Sequence, residues 1–384
     1  MSTSDGPGTT PGAVVVPALV STGDDPLLRL EHVSKSFPVQ SSKLFSRGHE
    51  FVHAVDDVSL EVLPGETLGL VGETGCGKST LARCIARLYD LTSGSITFDG
   101  KDISHLSRRG MRPLRSEIQM IFQDPYGSLN PRRRVGSIIG DPFAIHGIDS
   151  RAERKKKVQD LMERVGLNPE HYNRFPADFS GGQRQRIGTA RALALRPRMV
   201  ICDEPVSALD VSVQAQIINM LKDLQDDFGL TYIFISHDLS VVRHVSDRIA
   251  VMYLGHIVEV APTAELFERT RHPYTRALLS ALPVADPDAA DNRERILLVG
   301  EIPSPTNPPS GCRFHTRCPK ARADCVRTDP ALGRVFDDGV EHQTACLHPL
   351  AIDEDMSLSR PQIEDSEIDV ASIPDQEPTT GGSQ

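Results

Sequence analysis

The chain has 384 residues, of which 39% are hydrophobic, and a formal net charge of -10 at pH 7. That length allows two or three domains with a real hydrophobic core, as in an ordinary soluble protein. The segment 351–384 holds nine acidic residues and one basic residue, so without its charge of -8 the remainder is near -2. Net charge therefore argues neither for nor against nucleic acid as a partner.

Both ends of the chain are expected to be disordered. Residues 1–25 are rich in Gly, Pro, Ser and Thr without helical or strand period, and 351–384 forms an acidic tail. The first basic residue is Arg29, and Pro17 interrupts the only early apolar run. This pattern predicts neither a signal peptide nor a membrane span, and it favours a cytosolic protein.

The first ordered stretch is predicted to be rich in strands. Order begins near Leu27, and apolar patterning predicts strands at about 28–33, 52–62, 68–71 and 93–100. The third of these strands runs directly into a glycine-rich loop and then into a helical pattern. Strand, loop and helix in that order are typical of phosphate-binding sites.

The loop at 72–80 fits the pattern G-x-x-x-x-G-K-[ST] at every required position. Its glycines allow successive N–H groups to point at phosphate oxygens, and the following helix directs its positive end there. We expect Lys78 to reach the β- and γ-phosphates and Ser79 to bind Mg²⁺. The helix is predicted to bury Leu81, Ile85 and Leu88. The residues of this predicted phosphate site are Gly72, Glu73, Thr74, Gly75, Cys76, Gly77, Lys78, Ser79 and Thr80.

A mostly helical and basic region follows the predicted strand 118–122, which ends at Gln123. It extends to about Pro176. A nucleic-acid patch is one interpretation of its charge. A solvated helix face is favoured, because no aromatic residues are interleaved for base stacking.

A second anion site is predicted at the start of the next helix. Phe179, Ser180, Gly181, Gly182 and Gln183 precede apolar residues at helical spacing. Ser180 can cap this helix, while the paired glycines leave its first N–H groups uncovered. A plain cap needs only the serine, so the extra glycines favour ligand contact.

Two buried strands are predicted to end in polar residues. The apolar run 199–202 ends at Asp203 and Glu204, and the run 231–235 is followed by His237. A turn and a helix at 213–228 connect them. α/β sheets bind ligands at the carboxyl ends of their strands, so one carboxylate can contact Mg²⁺ and the other can contact a water molecule. A solvated acidic turn is the alternative.

The order of these segments resembles the ATP-binding-cassette ATPases over about 27–262. The resemblance implies that Ser79, Gln123 and Asp203 bind Mg²⁺, that Glu204 orients or deprotonates the attacking water, and that His237 holds it with the γ-phosphate. Lys78 and Gln123 are included among the catalytic residues. Phe37 resembles the aromatic residue that stacks on adenine, although a core aromatic is the alternative. Phe179 stands where leucine is commonest, while Ser180 and both glycines remain.

The resemblance also implies partners. Residues 180–183 of one subunit close on ATP held by another, so hydrolysis requires a head-to-tail dimer, and the turn at Asp210 belongs to the same site. Two membrane permeases dock through the segment between Gln123 and Ser180, which places the protein at the cytoplasmic face of the membrane. A substrate-binding protein contributes indirectly, and no nucleic acid is involved.

The second half of the chain is similar to the oligopeptide and dipeptide importer ATPases, in the stretches 123–131 and 271–279. That family ends in a cysteine-bearing segment. Here Cys312, Cys318, Cys325 and Cys346 fall in a region with few large apolar residues, where a cross-link would help. Four thiolates suit a [4Fe–4S] cluster, which the related ATPases carry, while zinc and no metal remain the alternatives. A structural role is favoured over a redox role.

The predicted fold is α/β. A RecA-like P-loop NTPase core carries an antiparallel β subdomain and an inserted α-helical subdomain at about 126–184, all within 26–265. A small Cys-rich C-terminal domain spans 266–350. The predicted function is the ATPase subunit of a peptide importer, pairing with a second ATPase in a dimer for which the resemblance favours two different chains. The alternatives are a soluble ABC-type ATPase in translation or DNA repair, or a subunit for another cargo.

Overall fold

The computed structural model describes residues 25–39, 50–124, 126–282, 296–334, 341–352, 354 and 356. The strands are β1 Leu28–Val39, β2 Glu50–Val62, β3 Thr67–Val71, β4 Ser93–Phe98, β5 Lys101–Asp102, β6 Ile118–Ile121, β7 Met199–Asp203, β8 Thr231–Ile235, β9 Arg248–Tyr253, β10 His256–Pro262, β11 Gly333–Arg334 and β12 Gln343–Thr344. The α-helices are α1 Lys78–Ile85, α2 Arg108–Glu117, α3 Val135–His146, α4 Arg151–Arg164, α5 Gly181–Leu193, α6 Val211–Phe228, α7 Leu239–Val245, α8 Thr263–Glu268, α9 Pro273–Ser280 and α10 Ala323–Arg327. Short 3₁₀ helices lie at Pro169–Asn173, Pro176–Asp178 and His315–Arg317.

The strands form two sheets. An antiparallel sheet has the order β2-β1-β4-β5, and a larger sheet has the order β11-β12-β10-β9-β3-β8-β7-β6. In the larger sheet β6, β7, β8, β3 and β9 are parallel neighbours. These strands confirm a mixed α/β fold, and the smaller sheet is antiparallel.

The parallel strands are buried on both faces. All five residues of β7 are buried, and successive residues belong to different core clusters, Ile201 to one and Cys202 to the other. One cluster packs this sheet against α1 and the antiparallel sheet, and the other packs it against α5 and α6. Continuous apolar strands of this kind need cover on both sides, which the helices provide.

The predicted face of α1 is wrong at one position. Leu81 and Ile85 are buried, but the helix ends at Ile85 and Leu88 is 46% exposed. Arg87 takes a left-handed backbone conformation with φ 52°, which ends the helical path before Leu88. The sequence analysis also missed α2, which contains Pro113.

The helical region after β6 contains α3, α4 and the start of α5. Ser150 and Glu153 form a capping box at the start of α4. The apolar sides of these helices join the same core cluster as the parallel sheet. The predicted disordered ends lie almost entirely outside the described residues. Within the described ranges, no helix combines the length and apolarity needed to cross a bilayer.

Candidate nucleotide site

The predicted site residues lie at the carboxyl ends of four adjacent parallel strands. β3 leads into the glycine-rich loop, β6 into Gln123, β7 ends at Asp203, and β8 is followed by His237. Parallel strands in register place these ends at one edge of the sheet. The structure therefore brings together residues that are up to 165 positions apart in the sequence.

The glycine-rich loop has the backbone that its sequence predicts. Gly75 and Gly77 take φ of 84° and 112°, and a Cβ at Gly77 would collide with the carbonyl oxygen of Ala54. Lys78 Nζ donates to the carbonyl oxygens of Gly72 at 2.8 Å and Glu73 at 3.0 Å. Lys78 is only 5% exposed, and Cys76 beside it is buried.

Ser79 and Asp203 form a hydroxyl–carboxylate pair behind the loop. Ser79 Oγ donates to Asp203 Oδ1 at 2.8 Å. Asp203 is 1% exposed, and burial raises its pKa, while the hydrogen bond from Ser79 acts in the opposite direction. Two oxygen donors of this kind suit Mg²⁺, and a divalent cation would offset the cost of burying the carboxylate.

Two predicted site residues, Gln123 and His237, meet at the carboxylate of Glu204. Its Oε2 accepts a hydrogen bond from Gln123 Nε2 at 2.8 Å and lies 3.4 Å from His237 Nδ1. The backbone of Glu204 is left-handed, with φ 48°, and its N–H donates to Ile235 O at 3.0 Å. This turn separates its side chain from that of Asp203, and such strain is characteristic of functional positions.

The second predicted anion site begins α5. The Ser180 hydroxyl accepts from Gln183 N–H at 3.4 Å, and the Gln183 side chain accepts from Ser180 N–H at 3.0 Å. This capping box confirms the predicted cap. The paired glycines also have a packing reason, because a Cβ at Gly182 would approach Val213 Cγ1 to 2.5 Å. Gly181 is half-buried and Ser180 is exposed.

Two further predicted residues lie apart from these contacts. The half-buried Phe37 ring packs edge-on against Tyr89 with centroids 5.4 Å apart, and Lys35 Nζ lies 4.9 Å from its centre. Asp210 is exposed at the N-cap position of α6. Their predicted contacts with nucleotide remain predictions, as do those of Thr74 and Thr80.

Sequence analysis missed two residues that touch the phosphate-binding loop. Arg317 Nη1 lies 2.8 Å from Glu73 Oε2, and the backbone N–H of Glu73 donates to the Tyr274 hydroxyl at 2.9 Å. Tyr274 was noted only within the stretch 271–279. Arg317 carries no local signal beyond its place between two cysteines.

None of the four C-terminal cysteines forms a disulfide, and the Cys312 N–H donates to Cys325 O at 2.8 Å. Burial raises the pKa of Cys346 to about 11 and that of Cys312 to about 12. Burial also raises the pKa of Cys318, and the other three cysteines act in the same direction.

The glycine-rich loop and the polar strand ends meet at one edge of the sheet, and the chain is an ATPase of the ATP-binding-cassette class. A family model described as "ABC transporter" matches residues 55–207, and one described as "Oligopeptide/dipeptide transporter, C-terminal region" matches 258–325.

Curated relatives and solved structures agree with this class. The oligopeptide transport ATP-binding protein AppF of Bacillus subtilis is 54% identical over 81% of this chain and 95% of its own length. OppF of Escherichia coli is 50% identical over 85% of this chain and 98% of its own length. An ATP-binding cassette solved as a dimer with ADP and phosphate has a TM-score of 0.55 and 28% identity, covering 62% of this chain and 98% of that one. The chain belongs to the ABC transporter family and, within it, to the oligopeptide transport ATP-binding proteins.

Proposed function

We propose that the protein is the ATP-hydrolysing subunit of an importer for oligopeptides or dipeptides. The observation that carries the proposal is the meeting of Gln123 and His237 at one carboxylate oxygen of Glu204, beside the Ser79–Asp203 pair. The match of the C-terminal region to oligopeptide/dipeptide transporters, and the relatives of that name, support peptide as the cargo.

The site residues divide the work of phosphoryl transfer. The loop N–H groups and Lys78 hold the β- and γ-phosphates, while Ser79, Asp203 and Gln123 would hold Mg²⁺, which neutralises phosphate charge when bound. Glu204 accepts a proton from, or orients, the attacking water. His237 holds that water and the γ-phosphate. Such chemistry needs positioning and charge neutralisation more than covalent help.

We also propose that the active form is a head-to-tail dimer, favouring a second, different ATPase chain as partner. Residues 180–183 begin a 13-residue helix, and the serine at its start is exposed. The free positive end of this helix is suited to a phosphate presented by the partner. The dimeric form of a solved relative supports the arrangement.

The helical region is the proposed docking surface for two membrane permeases. Tyr126 is 63% exposed, Ile145 66% and Phe175 41%, all within the predicted subdomain at 126–184. Exposed large apolar side chains commonly mark interaction surfaces. Docking there places the protein at the cytoplasmic face of the membrane.

The cysteine segment is proposed to hold a [4Fe–4S] cluster as a structural cross-link. Its support is that all four thiols are free and buried or half-buried, and that the Cys312 N–H donates to Cys325 O at 2.8 Å. Zinc has a specific competing donor set, because one donor atom each of Asp324, Cys325 and His348 lies within 4.8 Å of the others. Iron and zinc content of protein purified without oxygen separates the two metals.

Co-purification from membranes tests the proposed function. A tagged chain is expected to recover two permeases and a second ATPase, and recovery with ribosomes or DNA would support a role in translation or repair instead. Ile145→Glu should release the permeases while ATP binding persists. Leu63→Glu, at a 42% exposed position in the turn before β3, is the matched control and should keep them.

A further inference from the structure

The carboxylate of Glu73 lies inside a loop that binds a polyanion. Two nitrogens of Arg317 hold it, with Nη1–Oε2 at 2.8 Å and Nη2–Oε1 at 3.2 Å. The Arg317 side chain is 8% exposed and that of Glu73 is 24% exposed, so the pair is largely shielded from water. A paired, two-pronged contact of this kind fixes both the position and the charge of the carboxylate.

The backbone of the same residue is held from a second direction. The N–H of Glu73 donates to the hydroxyl of Tyr274, which is fully buried at the start of α9. The first variable position of the loop is thus fixed by two residues more than 200 positions away. Neither Tyr274 nor Arg317 belongs to the glycine-rich loop, to helix α5 or to the polar strand ends.

The segment that carries Arg317 is itself anchored on the nucleotide-binding core. Phe314 is 1% exposed, and its ring centre lies 5.3 Å from that of Tyr253 and 5.4 Å from that of Tyr274. Arg313 donates to Leu254 O at 2.7 Å and contacts Asp56. These contacts place the Arg317 guanidinium at the loop.

We propose that Arg317 is a positioning residue for ATP, which keeps the Glu73 carboxylate neutralised and turned away from the triphosphate. Without the guanidinium, an unpaired negative charge would face the phosphates at short range, where repulsion is poorly screened. The C-terminal segment thereby sets the affinity of the phosphate-binding loop. The proposal does not depend on which metal the cysteines bind.

The test compares ATP affinity with turnover in purified full-length protein. Arg317→Ala should raise the Kd for ATP about tenfold, the effect of losing one charge-assisted contact, with a much smaller change in kcat. Adding Glu73→Gln should restore affinity, because the unpaired charge is then gone. Glu73→Gln alone should bind ATP as tightly as wild type or more tightly.

Arg334→Ala is the matched control, since this arginine belongs to the same segment but pairs with the exposed Glu341 instead of the loop. It should leave the Kd for ATP within about twofold of wild type, while thermal unfolding reports any general loss of structure. Failure of Glu73→Gln to restore affinity, equal losses in Arg334→Ala and Arg317→Ala, or weaker ATP binding by Glu73→Gln alone would overturn the proposal. If Arg317→Ala does not fold, the single Glu73→Gln variant still decides it.

Discussion

The nucleotide-binding core and the C-terminal segment 296–352 are held together by different forces. In the core, β7 and β8 have every residue buried, and apolar packing on both faces fixes where the polar strand ends lie. In the described part of the segment the strands have two residues each. The position of the segment depends on Arg313, Arg317 and the buried ring of Phe314. Substitutions of site residues in the core should therefore change ATP binding or hydrolysis directly, whereas substitutions in the segment should act through the position of the phosphate-binding loop and through stability.

The largest effect is expected at Glu204. Glu204→Gln keeps the shape of the side chain but removes the base, so kcat should fall about a thousandfold while ATP remains bound. Single-turnover hydrolysis and nucleotide retention measure the two quantities. Glu163→Gln, at an exposed position on α4, is the control. Turnover at the wild-type rate would remove Glu204 from its proposed role.

Loss of the loop ammonium group should act on binding. Lys78→Met preserves the length of the side chain without its charge, and the Kd for ATP should rise about a hundredfold, since several charge-assisted contacts are lost. Equilibrium binding of a fluorescent ATP analogue checks this. Lys101→Met, on the exposed strand β5, should bind normally. Unchanged affinity in Lys78→Met would contradict the proposed site.

Substitution of Cys318 tests whether bound metal holds the C-terminal segment in place. Cys318→Ser should lower bound metal about tenfold or more and leave residues 296–352 easier to digest, with the core intact. Metal analysis and limited proteolysis measure these effects. Cys84→Ala, in the core, should retain the metal. Equal metal content in both variants would argue against ligation by Cys318.

The smallest effect concerns pH. Burial lowers the pKa of His272 to about 4, so between pH 6.5 and 4 the unfolded chain binds a proton that the folded chain rejects. Stability contributed by this group is therefore complete at pH 7 and decreases as the pH falls. His272→Asn retains a side chain able to cap α9, as His272 Nδ1 does for Tyr274 N–H.

The loss of unfolding free energy between pH 7 and pH 5 should be smaller in His272→Asn by about 2 kcal/mol. Denaturant unfolding at the two pH values measures it. If wild type and His272→Asn show the same pH dependence, groups other than His272 determine how stability changes between pH 7 and pH 5.

Local patterns sufficed for much of the nucleotide-binding core. The spacing of glycines, Lys78 and Ser79 predicted a loop that the structure confirms, because that chemistry is contained in nine consecutive residues. The apolar runs before Asp203 and His237 predicted buried strands for the same reason. Leu88 failed the prediction since a single left-handed residue, Arg87, redirected the chain.

Short-range motifs thus carried the family resemblance that gave the class of protein, and they also supplied the candidate phosphate-binding residues and the four thiols. Only the tertiary structure decided that Gln123 and His237 meet at one oxygen of Glu204, and that Arg317 reaches Glu73 across 244 positions. The physical reason is that contacts between distant residues depend on strand order and side-chain packing. No local propensity encodes which arginine comes to lie against which carboxylate.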